Sequence, residues 1–237
     1  MRAVSRRLSA IQKGLLAAIP LIIGIGLLVD QHAGPWGQPV VSLLAWTAYL
    51  ILLGSESGAL RIALVLCLLI ATLGEVLLSL GWGLYTYRLH NIPLFVPPGH
   101  VLLFWFGLRT VERIPGRVLD VSAAISALAM LLLAVTARDL LSVPLWLMFA
   151  ACWYFGPARR FYTWMFVIAL AMEIYATVIG NWAWMHTVPI FGVPTTNPPL
   201  AAGAFYCMLD VIVLFVCSAV AGKKAGVVTA SPGSAVD

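Results

Sequence analysis

Glu75 and Glu173 are carboxylates set inside hydrophobic runs, and each is followed by a pair of alternating aromatic residues. Glu75 stands 10 and 12 residues before Tyr85 and Tyr87, and Glu173 stands 9 and 11 before Trp182 and Trp184. Pro97 follows Glu75 by 22 residues, and Pro194 follows Glu173 by 21. A gap of one residue therefore brings carboxylate, aromatic pair and Val-Pro into step. The stretches 75–100 and 173–199 form a degenerate internal repeat.

A carboxylate inside a bilayer costs roughly 2.5–3.5 kcal/mol on insertion scales and marks a functional site by default. Asp210, within FYCMLDVIVLFV, is a third such acid, whereas Asp120 beside Arg117 reads as an interfacial cap. Apolar surroundings disfavour a carboxylate anion, so an acid placed there can hold a proton near neutral pH and deliver it as a general acid. Two neighbouring carboxyls can divide the donor and acceptor roles between them. Aromatic faces stabilise cations. Glu75, Glu173 and Asp210 are thus the expected acid/base residues, suited to protonating an alkene while Tyr85, Tyr87, Trp182 and Trp184 shelter the carbocation. Trp82, Arg88, His90, Asn181, His186 and Asn197 are expected to complete the substrate-binding wall, with the two asparagines able to fix a water or a hydroxyl. The plainer alternatives are an interfacial aromatic belt and carboxylates that only orient helices.

His90, His100 and His186 fall near one end of the chain's apolar runs, but no HxxH, HxxxH or carboxylate-histidine spacing accompanies them, so no metal site is expected. No phosphate loop, dinucleotide glycine pattern or nucleophile elbow occurs, and no cofactor is expected. Cys67, Cys152, Cys207 and Cys217 lie in apolar runs without CxxC spacing and read as small buried hydrophobes.

The elements that must position these residues follow from composition. The 237 residues are 62% apolar and 10% charged, with a mean hydropathy of +1.00. Soluble domains carry roughly a quarter charged residues, and the uncharged runs here approach the ~20 residues that cross a bilayer. The fold class is all-α: a polytopic membrane helical bundle. The net charge of +5 comes from residues scattered at segment ends rather than from one basic face, which argues against nucleic acid as a partner.

The run GLLAAIPLIIGIGLLV reads as a retained first span. Further spans read as 40–54, 62–81, 95–108, 118–137, 140–156, 161–180 and 199–221. The fourth follows Pro97-Pro98 and is short, with a start near Ile92 or a re-entrant path as alternatives. The count is eight, with seven the main alternative. With the N-terminus in the cytoplasm, twelve basic residues fall inside (Arg2, Arg6, Arg7, Lys13, Arg61, Arg109, Arg113, Arg117, Arg159, Arg160, Lys223, Lys224) and only Arg88 and Arg138 outside. That places both termini in the cytoplasm and the chain in the inner membrane. Residues 1–117 and 118–222 form two parallel four-helix repeats, and 223–237 a disordered cytoplasmic tail. A pseudo-twofold along the membrane normal brings the two acid-aromatic stretches towards each other on one side.

At these residues the chain resembles the membrane carotenoid hydratase family of bacterial carotenoid-biosynthesis proteins. The family pattern runs from an intramembrane Glu through a Gly to Tyr-x-Tyr, then Gly-Val-Pro and further prolines. Glu75, Gly81, Tyr85, Tyr87 and Pro97 fit it, as do Glu173, Gly180, Trp182, Trp184, Gly192-Val193-Pro194 and Pro198. The family's Pro-Phe-Gly is replaced by Gly-Trp-Gly-Leu and Gly-Asn-Trp. The resemblance implies cofactor-free addition of water across an isoprenoid double bond. Small integral-membrane terpene cyclases, similar in size and in using intramembrane acids, begin with the same protonation and end in ring closure. The expected partners are the bilayer and a lipid or isoprenoid substrate. A transporter or lipid-binding carrier is the alternative, and a structural subunit of a larger membrane complex a third reading.

Overall fold

A computed structural model describes residues 8–136 and 138–221. The basic Arg2, Arg6 and Arg7, and the tail with Lys223 and Lys224, lie outside the described residues. Eight α-helices occur among those described: α1 (Ala10–His32), α2 (Gly37–Ser55), α3 (Gly58–Glu75), α4 (Val96–Thr110), α5 (Gly116–Val135), α6 (Ser142–Phe155), α7 (Arg159–Ile179) and α8 (Gly203–Ala221). Ser9 and Gln12 close a reciprocal capping box at the start of α1, which begins the first helix ahead of the apolar run. Five segments, Ala10–His32, Gly34–Ser55, Gly58–Gly81, Arg159–Ile179 and Gly203–Val220, are long and apolar enough to cross a bilayer. Large hydrophobic side chains such as Leu43, Leu69, Leu128 and Phe215 are exposed on the outside of the bundle, as suits contact with lipid. The chain is a membrane-embedded helical bundle.

α3, α4, α7 and α8 make the centre: α3 packs on α4 and α8, and α7 on the same two helices, with α1 and α2 flanking one side and α5 and α6 the other. α4, the short span expected after Pro97-Pro98, is the most enclosed. Val101, Leu102, Phe104 and Trp105 are almost wholly buried on it. At 1.5 Å per residue its 15 residues reach about 22 Å. α8 starts at Gly203, later than the expected 199, where a Cβ would collide with the Phe166 carbonyl oxygen of α7. Only glycine permits that approach.

Two departures from plain helices shape the functional end. The expected span 62–81 is not one regular helix: α3 gives way after Glu75 to a π-helix, Val76–Gly81, in which Trp82 N–H reaches the Leu77 carbonyl at 2.8 Å. Each π turn takes up about one residue more than an α turn. α7 stays regular past Glu173 and stops at Gly180, whose φ of 88° makes a left-handed cap. The extra residue between Glu75 and its tyrosines is therefore absorbed by the π-helix. Beyond these helix ends, the only strands among the described residues, β1 (Tyr85–Tyr87) and β2 (Trp182–Trp184), pair antiparallel, which an all-helical reading missed. The register sets Tyr85 opposite Trp184, Thr86 opposite Ala183 and Tyr87 opposite Trp182.

Candidate active site

Side chains alternate along a strand, so Tyr85, Tyr87, Trp182 and Trp184 share one face of the ladder and are buried, while Thr86 and Ala183 face outward. The four rings pack together. Tyr85 tilts against Trp184 with centroids 4.7 Å apart, and Tyr87 meets Trp182 edge-on at 5.7 Å.

Each pair presents its polar tips to the carboxylate of its own half. Tyr85 and Tyr87 hydroxyls donate to Glu75 Oε2 at 2.9 and 2.6 Å. Trp182 and Trp184 indole N–H groups donate to Glu173 Oε2 at 2.8 and 3.0 Å. The second oxygen of each acid meets a residue near the start of the following central helix. His100 Nε2 of α4 lies 3.0 Å from Glu75 Oε1, and the Tyr206 hydroxyl of α8 donates to Glu173 Oε1 at 3.0 Å. His100 and Tyr206 stack on each other with centroids 4.7 Å apart. Burial first, and the Glu75 charge second, push the Tyr85 and Tyr87 hydroxyls well above their ordinary value, so both remain donors.

All eight of these side chains line a single cavity of about 250 Å³, whose remaining wall is largely apolar, including Ile22, Val41 and Met172. That volume is just below the roughly 300–1,000 Å³ common for small-molecule sites. The two halves differ in one chemical respect. The partner of the second oxygen is an imidazole at Glu75 and a phenol at Glu173, and since imidazole gives or takes a proton near neutral pH, the Glu75–His100 pair is the better suited of the two to exchange one.

Several expected wall residues hold the aromatic ladder in place rather than line the cavity. Arg88 Nη2 bonds the Asp30 carbonyl and carboxylate at 2.6 and 3.2 Å, and Asn181 Nδ2 bonds Asp30 Oδ2 at 2.6 Å and the Leu27 carbonyl at 3.0 Å. Asp30, buried near the end of α1, is thus the post to which both strands are tied. Trp82 Nε1 donates to the Pro189 carbonyl at 3.1 Å, and Asn197 Oδ1 accepts from the Trp184 backbone N–H at 2.9 Å. His90 and His186 are exposed and do not line the cavity. Asp210 is buried one helical turn beyond Tyr206, yet it too is absent from the cavity wall, and its Oδ2 has no protein partner. These placements correct the expectation that Asp210 and both histidines share the site.

Sequence reasoning missed Asp30 and three further contributors. His100 and Tyr206 stand 25 and 33 residues from their glutamates, so no common spacing reveals them. The one available signal was a polar residue soon after Pro97-Pro98 and Pro198-Pro199. Asp139 accepts from the Ser142 N–H and hydroxyl at the start of α6 and from the Thr195 and Thr196 hydroxyls and the Leu200 N–H, anchoring the segment that leads from β2 to α8. No three His, Cys, Asp or Glu side chains among the described residues are grouped to hold a metal ion. The chain matches no known family model, and no curated protein or solved structure matches it.

Proposed function

We propose that this chain is an integral-membrane enzyme performing acid-initiated chemistry, hydration or cyclisation, on a double bond of an isoprenoid or related lipid. The observation that carries this reading is the convergence of two buried carboxylates, each with its own donor set, on one apolar cavity floored by four aromatic rings. The Glu75–His100 pair supplies the proton to one alkene carbon, leaving positive charge on the other. Glu173 and the ring faces stabilise that charge. Water then adds and loses a proton, giving an alcohol, or a second double bond attacks and the new cation loses a proton, giving a ring. In both routes the proton spent is recovered.

On this reading the eight helices are eight spans in two parallel halves, 1–117 and 118–222, with both termini in the cytoplasm and the chain in the inner membrane. The matched glutamates and the symmetric register of the aromatic ladder support the duplication. The likeness to membrane carotenoid hydratases rests on the same residues, and that to small terpene cyclases on size and the use of intramembrane acids.

The test is expression in an isoprenoid-producing host, followed by mass spectrometry of lipids from membranes carrying the natural chain, Glu75→Gln or Glu173→Gln. A new product heavier by one water indicates hydration, and an isomer with altered retention indicates cyclisation. Both disappear in either variant. Identical lipid profiles for all three inserted proteins would overturn the proposal.

A further inference from the structure

We infer that the cavity is a binding site for a hydrophobic ammonium, a protonated amine on a short, branched apolar body. This deepens the reading above, because a ligand ammonium takes the place of the cation that the reaction forms. The argument starts from Glu173. Its three partners, Trp182, Trp184 and Tyr206, are neutral, and both indoles are donors only, so Oε2 accepts from each. The ion pairs among the described residues join Arg88 to Asp30 and Arg109 to Glu56, and the contact of His100 with Glu75 becomes a third only when the imidazole is protonated. None reaches Glu173. A buried carboxylate served only by neutral donors lacks the counter-charge that normally offsets its desolvation, and a cationic ligand supplies it.

Two further features fit the same ligand. Trp184 is flanked by Tyr85 at 4.7 Å and by the stacked Phe205 at 6.1 Å, and all three rings line the cavity, an aromatic wall of the kind that attracts a cation. His100 Nδ1 is buried without a protein partner. In the tautomer whose Nε2–H donates to Glu75, that atom carries a lone pair able to accept an N–H. Ile22, Leu27, Val41 and Met172 then surround the apolar body. The cavity of about 250 Å³ favours a compact chain end over an extended polyene.

The probe is tritiated N,N-dimethylgeranylamine, titrated onto the whole protein in phosphatidylcholine nanodiscs, with empty nanodiscs as the blank. The expected result is saturable binding of one amine per chain. The neutral analogue geranyl methyl ether, smaller by one methyl, competes at least tenfold more weakly, and Glu173→Gln weakens the amine at least tenfold. Equal competition by the ether overturns the inference in the natural protein, even where the variant fails to fold. So does unchanged amine binding to a variant that melts like the natural chain. Amine selectivity without lipid turnover upholds the site and removes the enzymatic reading, whereas turnover without amine selectivity overturns this inference alone.

Discussion

Replacing Glu75 by leucine and by glutamine separates the acid's structural role from its chemical one. Glu75 accepts from Tyr85 and Tyr87 and meets His100 Nε2. Leucine keeps much of the volume but strands all three buried polar groups. An unsatisfied buried group costs about 1–3 kcal/mol, so the three together cost roughly 3–9 kcal/mol, against roughly 2 kcal/mol recovered by burying the new side chain. Glutamine keeps an oxygen for the two hydroxyls and can donate its amide N–H to His100 in the other tautomer. It loses only the charge assistance, about 1 kcal/mol per bond, and is relieved of the desolvation of an ionisable acid. Thermal melting in detergent should therefore place Glu75→Gln within a few degrees of the natural protein and Glu75→Leu far below it. Lipid turnover should fall in both, by about 10²–10⁴-fold for loss of a general acid. A leucine variant as stable as the natural chain, or a glutamine variant with full turnover, refutes the reasoning.

Three other outcomes follow from the same geometry. Tyr87→Phe removes the 2.6 Å bond to Glu75 and should destabilise the protein by about 1.5–3 kcal/mol, the worth of a hydrogen bond to a charged group, measured by denaturation in mixed micelles. Asp30→Ala frees Arg88 and Asn181 together. Breaking a fully buried pair costs about 3–5 kcal/mol, and because Arg88 is partly exposed a loss nearer 2–3 kcal/mol is expected. Hydrogen exchange should then speed up at the Arg88 amide, which bonds the Asn181 carbonyl. Asp210→Asn should leave lipid turnover within a few-fold of natural, since Asp210 does not line the cavity; a loss as deep as that of Glu75→Gln would place Asp210 in the reaction after all.

Much of this molecule is legible in its sequence, and the reason is the bilayer. A chain with 10% charged residues must satisfy its backbone internally, so helices and their approximate bounds follow from hydropathy. An acid in such a chain is conspicuous because it is expensive. Glu75, Glu173 and the two aromatic pairs could therefore be picked out from type and spacing, and even the one-residue offset between the halves was visible. Its cause was not, since nothing in the residue pattern of Val76–Gly81 sets that π-helix apart from the regular helix before it.

Only the tertiary structure decided which side chains meet. Asp210 has the same sequence credentials as the two glutamates, yet its position on α8 keeps it out of the cavity wall. His100 and Tyr206 had no shared spacing with their acids and became partners because α4 and α8 carry them to the wall of the same cavity, where their rings stack. Arg88 and Asn181 looked like ligand contacts and proved to be ties to Asp30, more than a hundred residues from Asn181 in the chain. Spacing reports what lies on one helix or strand, because those periods are fixed by the backbone. Contacts between elements are set by packing, and the loops that join the elements leave no period to read.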